Sequence, residues 1–271
     1  MKYALFDTDF ISKTHTVRLD EENHLIDRIL EMPEYIFYCH EQTIEELSRH
    51  NSHAPAWLED RIKEGRIIKY TDEKIIDEMS AVYSGLSLER YVEMLKTACE
   101  AFGAGYFSEI YSEIKSLDCL SITKGHFLKK MKAIEKGIGT GKHLGEIKCY
   151  VLLQWLNLQL GDQLYYFCSD DKDARDGILG IEDIKVRCIT LVSSLLRIHI
   201  ETGSDVSEMN PYIQALLGYF SAHDRETIRV VEASSVGRIE RVACEQVLTE
   251  IFEDKFIELP NGFLKYRLDP E

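Results

Sequence analysis

No stretch of this chain approaches the length of apolar sequence that spans a bilayer, and the N-terminus lacks the basic-then-apolar pattern of a secretory signal. A membrane association is therefore not expected, and a cytoplasmic protein is. The cysteines lack any C-x-x-C spacing: there are seven, at positions 39, 99, 119, 149, 168, 188 and 244, an odd number set mostly in apolar surroundings. That argues against a disulfide framework or a zinc site and for reduced, buried thiols. Positive charge is scarce, 32 Lys and Arg against 47 Asp and Glu, for a net charge of −15. Nonspecific coating of nucleic acid by the whole surface is disfavoured, although a local basic groove is not. Internal repeats and low-complexity segments are missing too.

What is present is core-forming material: 271 residues, 45% of them hydrophobic, enough for one large domain or one domain with a small appendage. The first apolar run, Tyr3-Ala4-Leu5-Phe6, stops at Asp7-Thr8-Asp9. It reads as a buried central strand of a parallel sheet, whose C-terminal end is where open α/β sheets bind ligands. Thr8 and Asp9 are expected to cap the helix beginning at Phe10. A second strand at 35–39 runs straight into a helix from His40 to Leu47. Ile44 and Leu47 mark its buried face, and Glu45 and Glu46, about 100° apart on the helix, cannot both serve one site. A third strand at 164–168 ends in Ser169-Asp170-Asp171-Lys172-Asp173. Three aspartates in four residues exceed what a cap requires, and like charges so close call for a cation. Between the second and third corners, Leu144-Gly145-Glu146 opens an apolar helix, where a carboxylate also suits the helix dipole.

The remaining pattern fills in a βα alternation. A helix carries the stripe Leu25, Ile26, Ile29 and Leu30. Another starts at Pro55, 66–70 reads as an edge strand, and 185–189 followed by a helix at 192–200 closes the doubly wound sheet. Residues 71–142 read as a helical insertion, able to act as a lid, a dimer surface or a substrate platform. Its end holds Lys124, Lys129, Lys130, Lys132, Lys136 and Lys142, with Glu135 the sole acid between Lys124 and His143, a candidate phosphate-binding surface. Gly137 to Lys142 resembles a phosphate-cradling loop but fails the pattern. Lys136 falls on its first glycine, His143 replaces the Ser or Thr, and no strand precedes it; a hinge is expected. Residues 205–271 read as a small α+β appendage: a helix at 212–220, a strand at 227–231, a helix at 239–252, and a hairpin at 256–266 turning on Pro260-Asn261-Gly262.

Four acidic corners in this order resemble the PIN-domain nuclease family. The resemblance rests on Phe6-Asp7-Thr8-Asp9-Phe10, Thr43-Ile44-Glu45-Glu46-Leu47, Leu144-Gly145-Glu146 and Ser169-Asp170-Asp171-Lys172-Asp173-Ala174-Arg175, and covers about residues 1–200. It implies a Rossmann-like domain over 1–204, with the insertion at 71–142, that binds Mg²⁺ or Mn²⁺ and hydrolyses RNA. Carried over by position, Asp7, Glu46, Glu146 and either Asp170 or Asp171 become catalytic metal ligands. Asp9 matches a position often held by Asn or Asp, and Asp173 an outer-shell group. The lysine cluster would hold single-stranded RNA beside the metals. The chain departs from small PIN domains in its long insertion and its appendage. Many compact relatives are toxins restrained by an antitoxin, so an inhibitor or other protein partner, or a homo-oligomer, is compatible with the resemblance.

Two rival readings follow from the same residues. Asp7-Thr8-Asp9 has the D-x-D form of a haloacid-dehalogenase-like phosphatase, with Asp7 as nucleophile and Asp9 as general acid. However, Phe10-Ile11 stands where that family has Gly-Thr, and Glu46 and Glu146 would have no role. The second rival is a non-catalytic PIN-like RNA-binding or scaffolding protein, in which the insertion covers the acids. Every motif acid is nonetheless in place.

Overall fold

Five short apolar runs form a parallel sheet: β1 (Lys2–Phe6), β2 (Tyr35–His40), β3 (Ile67–Tyr70), β4 (Tyr165–Cys168) and β5 (Val186–Ile189), in the order β3-β2-β1-β4-β5. The computed structural model describes residues 1–51, 53–102, 112–137, 143–181, 183–234 and 237–268. Helices flank the sheet on both faces, so the fold is α/β of the Rossmann-like kind. Between them run α1 (Thr8–Thr16), α2 (Leu25–Leu30), α3 (Glu41–His50), α4 (Ala54–Lys63), α5 (Asp72–Tyr83) and α6 (Ser87–Phe102). Later helices are named by their residues.

The period-two alternation of each strand divides the core in two. Ala4, Phe6, Phe37, Cys39, Tyr166, Cys168 and Ile189 pack into one cluster with α1, α2, α4 and the Ser193–Thr202 helix. Leu5, Tyr38, Tyr70, Tyr165, Phe167 and Cys188 pack into the other with α5, α6 and the Leu144–Leu160 helix. Fully burying one such side chain is worth about 1.5–3 kcal/mol, and strands apolar on both faces stay in register for that reason. The described part of 71–142 is helical, as expected, and covers the second face with α5, α6 and the Lys124–Gly137 helix. Residues 138–142, with Lys142 and most of the expected hinge, lie outside the described residues.

The 205–271 segment holds the Val206–Ala222 helix and a four-stranded sheet ordered β7-β6-β9-β8. Its strands are β6 (Thr227–Val231), β7 (Ile239–Ala243), β8 (Phe256–Glu258) and β9 (Leu264–Tyr266). The expected helix at 239–252 is corrected. Ile239–Ala243 pairs antiparallel with β6, Ile239 opposite Val231 and Val242 opposite Ile228, and the helix is confined to Cys244–Glu250. Pairing satisfies the backbone of β6 along one edge and favours β-branched residues. The helix expected at 212–220 begins earlier, at Val206, because Asp205 accepts from the Glu208 amide as its cap.

This segment is continuous with the core. Met209, Ile213, Leu216, Val247, Leu248 and Phe256 belong to the same cluster as Ala4 and Phe6. The tip of its hairpin docks on β5: the Cys188 amide donates to the Pro260 carbonyl at 2.7 Å, and Thr190 Oγ1 donates to the Gly262 carbonyl at 3.2 Å. Gly262 has φ +79°, and a Cβ there would stand 2.8 Å from Thr190 Cγ2, so only glycine fits. All seven cysteines are free thiols, Cys119 partly exposed and the other six buried. Among the described residues no helix is long and apolar enough to cross a membrane.

Candidate active site

The strand order reverses beside β1: the chain winds from β1 to β2 and β3 on one side, then returns to place β4 on the other. At such a switch point the carboxyl ends of adjacent strands diverge and leave a crevice. Here the crevice is a cleft of about 270 Å³ lined by Asp7, Thr8, Asp9, Glu46, Glu146 and Asp171, with Ser12.

Asp7 follows the last residue of β1 and has an extended backbone, so the helix starts after it, at Thr8. It is Asp7 that caps α1, correcting the expectation for Thr8 and Asp9. Its Oδ1 accepts from the Thr8 amide at 2.8 Å, and its Oδ2 accepts from Ser169 Oγ at 2.7 Å. Burial pushes its pKa up to about 8; the Ser169 hydrogen bond opposes that, and the charges of Glu146 and Asp9 add to it. Glu46 comes from the second turn of α3 and Glu45 is exposed on the same helix, which settles that pair in favour of Glu46 as the residue facing the cleft. Thr8 Oγ1 donates to Glu46 Oε2 at 2.8 Å and Gln42 Nε2 donates to Oε1 at 3.3 Å. Burial raises the Glu46 pKa, the Thr8 bond lowers it and Glu146 raises it further.

Glu146 lies in the first turn of the Leu144–Leu160 helix, beside His143. That turn approaches α3 so closely that a Cβ on Gly145 would fall 2.5 Å from Glu46 Oε2. The helix is held from below by a buried ionic cluster. Lys148 Nζ is 2.8 Å from Asp72 Oδ2 and 2.7 Å from Glu135 Oε1, and His40 Nε2 is 3.2 Å from Asp72 Oδ1. Burial pushes the Asp72 carboxyl up, but Lys148 and His40 outweigh it and hold the pKa far below the usual carboxylate range.

The last corner separates its acids. Asp171 caps the Lys172–Leu179 helix through Oδ1, accepting from the Asp173 and Ala174 amides, and lines the cleft. Asp170 turns away: Lys13 Nζ is 3.1 Å from its Oδ2, and its Oδ1 accepts from the Leu191 amide. Lys13 also meets Asp9 at 2.8 Å. Burial raises the Asp9 pKa and Lys13 opposes it. Asp173 is exposed in the first turn of its helix and does not line the cleft.

The lysine surface lies elsewhere. Lys124 is paired with Glu73 and Asp77, while Lys129 and Lys130 are exposed. Lys132 and Lys136 line a separate cleft of about 360 Å³ with Arg49, Glu41 and Glu45 on α3. Glu135, the acid among them in sequence, points inward to Lys148 and leaves the outer helix face basic.

Sequence reasoning passed over Thr8, Ser169, Gln42, Lys13 and Gly145. Asp9 and Lys13 stand four apart, a spacing that brings side chains together on a helix. Ser169 and Gly145 carry no such local mark.

The donors that line the cleft are carboxylate oxygens from separate elements, with no histidine or cysteine among them, the set that hard divalent ions such as Mg²⁺ prefer. Among the described residues no three His, Cys, Asp or Glu donors stand close enough together to hold an ion as they are. The donor chemistry therefore fits such an ion, with the carboxylates lining one wall-to-wall cleft rather than a closed cage. Compared with family models, with curated proteins and with solved structures, the chain matches none.

Proposed function

We propose that the chain is a PIN-type, metal-dependent ribonuclease whose site is the cleft at the β1–β4 switch point. One observation carries the reading: Asp7, Asp9, Glu46, Glu146 and Asp171, brought from four parts of the sequence, line one crevice at the carboxyl ends of adjacent parallel strands. A buried carboxyl pushed up to about 8 is a costly arrangement to keep without a cation, which supports the same conclusion. When bound, Mg²⁺ or Mn²⁺ supplies neutralisation of phosphate charge and a more acidic water. Asp7, fixed by Thr8 and Ser169, and Glu46, fixed by Thr8 and Gln42, are the oriented ligands. Glu146 and Asp171 complete the walls, and Asp9 and Asp170 are paired by Lys13 at the rim. Seven free thiols accord with a reducing, cytoplasmic compartment.

The test is cleavage of labelled mixed-sequence single-stranded RNA by wild type and Asp7→Asn, in Mg²⁺, in Mn²⁺ and in chelator, with a small phosphate ester as control. Metal-dependent cleavage by wild type alone supports the reading. Turnover of the ester instead of RNA would favour the phosphatase. A non-catalytic RNA-binding protein is the second reading, favoured by the pairing of Asp9 and Asp170 with Lys13. It would be supported by RNA binding without cleavage in either metal.

A further inference from the structure

Beside the carboxylate cleft lies a second one, of about 210 Å³, walled on one side by Asp170, Arg175 and Thr190 and on the other by Arg225, Arg229 and Phe263 of the 205–271 segment. Three arginines meeting in one small cleft stand out in a chain of net charge −15. The single carboxylate there, Asp170, is already answered by Lys13 at 3.1 Å. Arg175 is 5% exposed; its Nη1 donates to the Ser169 carbonyl at 3.0 Å, and its buried Nε has no hydrogen-bond partner among the described residues. A buried guanidinium N–H without an acceptor is costly unless a ligand supplies one. Arg225 lies over the Phe220 ring, 4.3 Å from its centroid, which fixes the direction of a partly exposed cation. Arg229 is exposed, 5.9 Å from the centroid of the half-buried Phe263 ring.

We propose that this arginine cleft binds a phosphate of single-stranded RNA, with the adjoining base stacked on Phe263, beside the carboxylate cleft. Arginine forks suit phosphate oxygens, and an aromatic face next to cations is how single strands are held without sequence preference. A polymer rather than a free nucleotide is indicated by continuity. Asp170 of this cleft and Asp171 of the other are consecutive residues, and Lys13 bridges from Asp170 to Asp9 at the seam. A strand lying across Lys13 would place neighbouring phosphates in both clefts. The choice of RNA rests on the nuclease reading; the phosphate site rests on the arginines.

The test is fluorescence anisotropy of a 5′-labelled ten-nucleotide mixed-sequence RNA in chelator, so that no cleavage enters, at several salt concentrations. Arg225→Ala/Arg229→Ala, at partly exposed and exposed positions, is compared with wild type after its thermal melt is shown to be unchanged. Phe263→Ala is the stacking variant, and Arg175→Lys keeps charge while removing the fork. The double variant is expected to bind at least tenfold more weakly, with the slope of log K against log salt reduced by about 1.4 for two lost single-strand phosphate contacts. Phe263→Ala is expected to lose roughly tenfold. Adenosine monophosphate and inorganic phosphate should compete at least a hundredfold less well than unlabelled RNA. Wild-type binding with an unchanged salt slope in the double variant overturns the proposal, as does monophosphate competing as well as the oligomer. Arginine-dependent binding without cleavage in any metal would uphold this inference and sink the nuclease reading. Normal cleavage with an unchanged KM by the double variant would do the reverse.

Discussion

Replacing Asp7 by Asn separates the cost of a buried carboxyl from the benefit of a bound cation. Burial above all pushes Asp7 from an ordinary 3.8 up to about 8 in the metal-free protein. Between those two values the folded state keeps a proton that the unfolded chain releases. A raised pKa contributes stability that is full below 3.8 and is lost as the pH rises toward 8. One proton corresponds to about 1.4 kcal/mol per pH unit, so between pH 5 and pH 7 wild type should lose about 3 kcal/mol that Asp7→Asn retains. Asn can still accept from the Thr8 amide and the Ser169 hydroxyl, which bond the carboxylate now, and Asp9 and Glu46 titrate in both proteins. Urea denaturation of the pair in chelator at pH 5, 6 and 7 measures the difference directly. Adding Mn²⁺ at pH 7 should then stabilise wild type in proportion to the logarithm of metal concentration, and the variant little. Parallel pH profiles for the two proteins would show that Asp7 is ionised when folded and would refute the electrostatic case for a cation at this corner.

Gly145→Ala should leave the urea midpoint nearly unchanged, since a helical alanine is favoured and the atom it meets, Glu46 Oε2 at 2.5 Å, ends a flexible side chain. Calorimetric Mn²⁺ affinity should still fall about tenfold as Glu46 is displaced. Lys148→Met strands Asp72 and Glu135 in the core and should cost about 3–5 kcal/mol in urea denaturation; a loss under about 1 kcal/mol would mean the cluster is not a structural clamp. Neutralising Lys129, Lys130 and Lys132 to Gln should lower the salt slope of RNA binding by about 2. Lys124→Gln, already paired with Glu73 and Asp77, should change it little, and an unchanged slope in the triple variant would remove that helix from the RNA path.

The sheet was legible because buried parallel strands are nearly continuous apolar runs, and Phe6-Asp7 or Cys168-Ser169-Asp170 show where each run stops. The choice between Glu45 and Glu46 was legible in part, since Ile44 and Leu47 fix one helix face. The choice between Asp170 and Asp171 was not. It depends on the start of a helix at Lys172 and on Lys13, over 150 residues away. β7 was misread as helix because its pairing with β6 is decided by the partner strand rather than by its own five residues. The arginine cleft was invisible for a similar reason: Arg175 and Arg225 meet only after the 205–271 segment docks on β5. Contacts at such separations leave no periodicity to read.

Because the apolar cluster passes without a break from Ala4 and Phe6 through Leu195 and Leu196 to Leu216 and Leu248, a cut near residue 204 would not trim an accessory. It would leave the inner helix Ser193–Thr202 facing water and invite aggregation. The same continuity makes the two clefts melt as one cooperative unit. A phosphate gripped by the arginines would then brace the aspartates across the seam against thermal opening, and an ion held by the aspartates would steady the arginines in return.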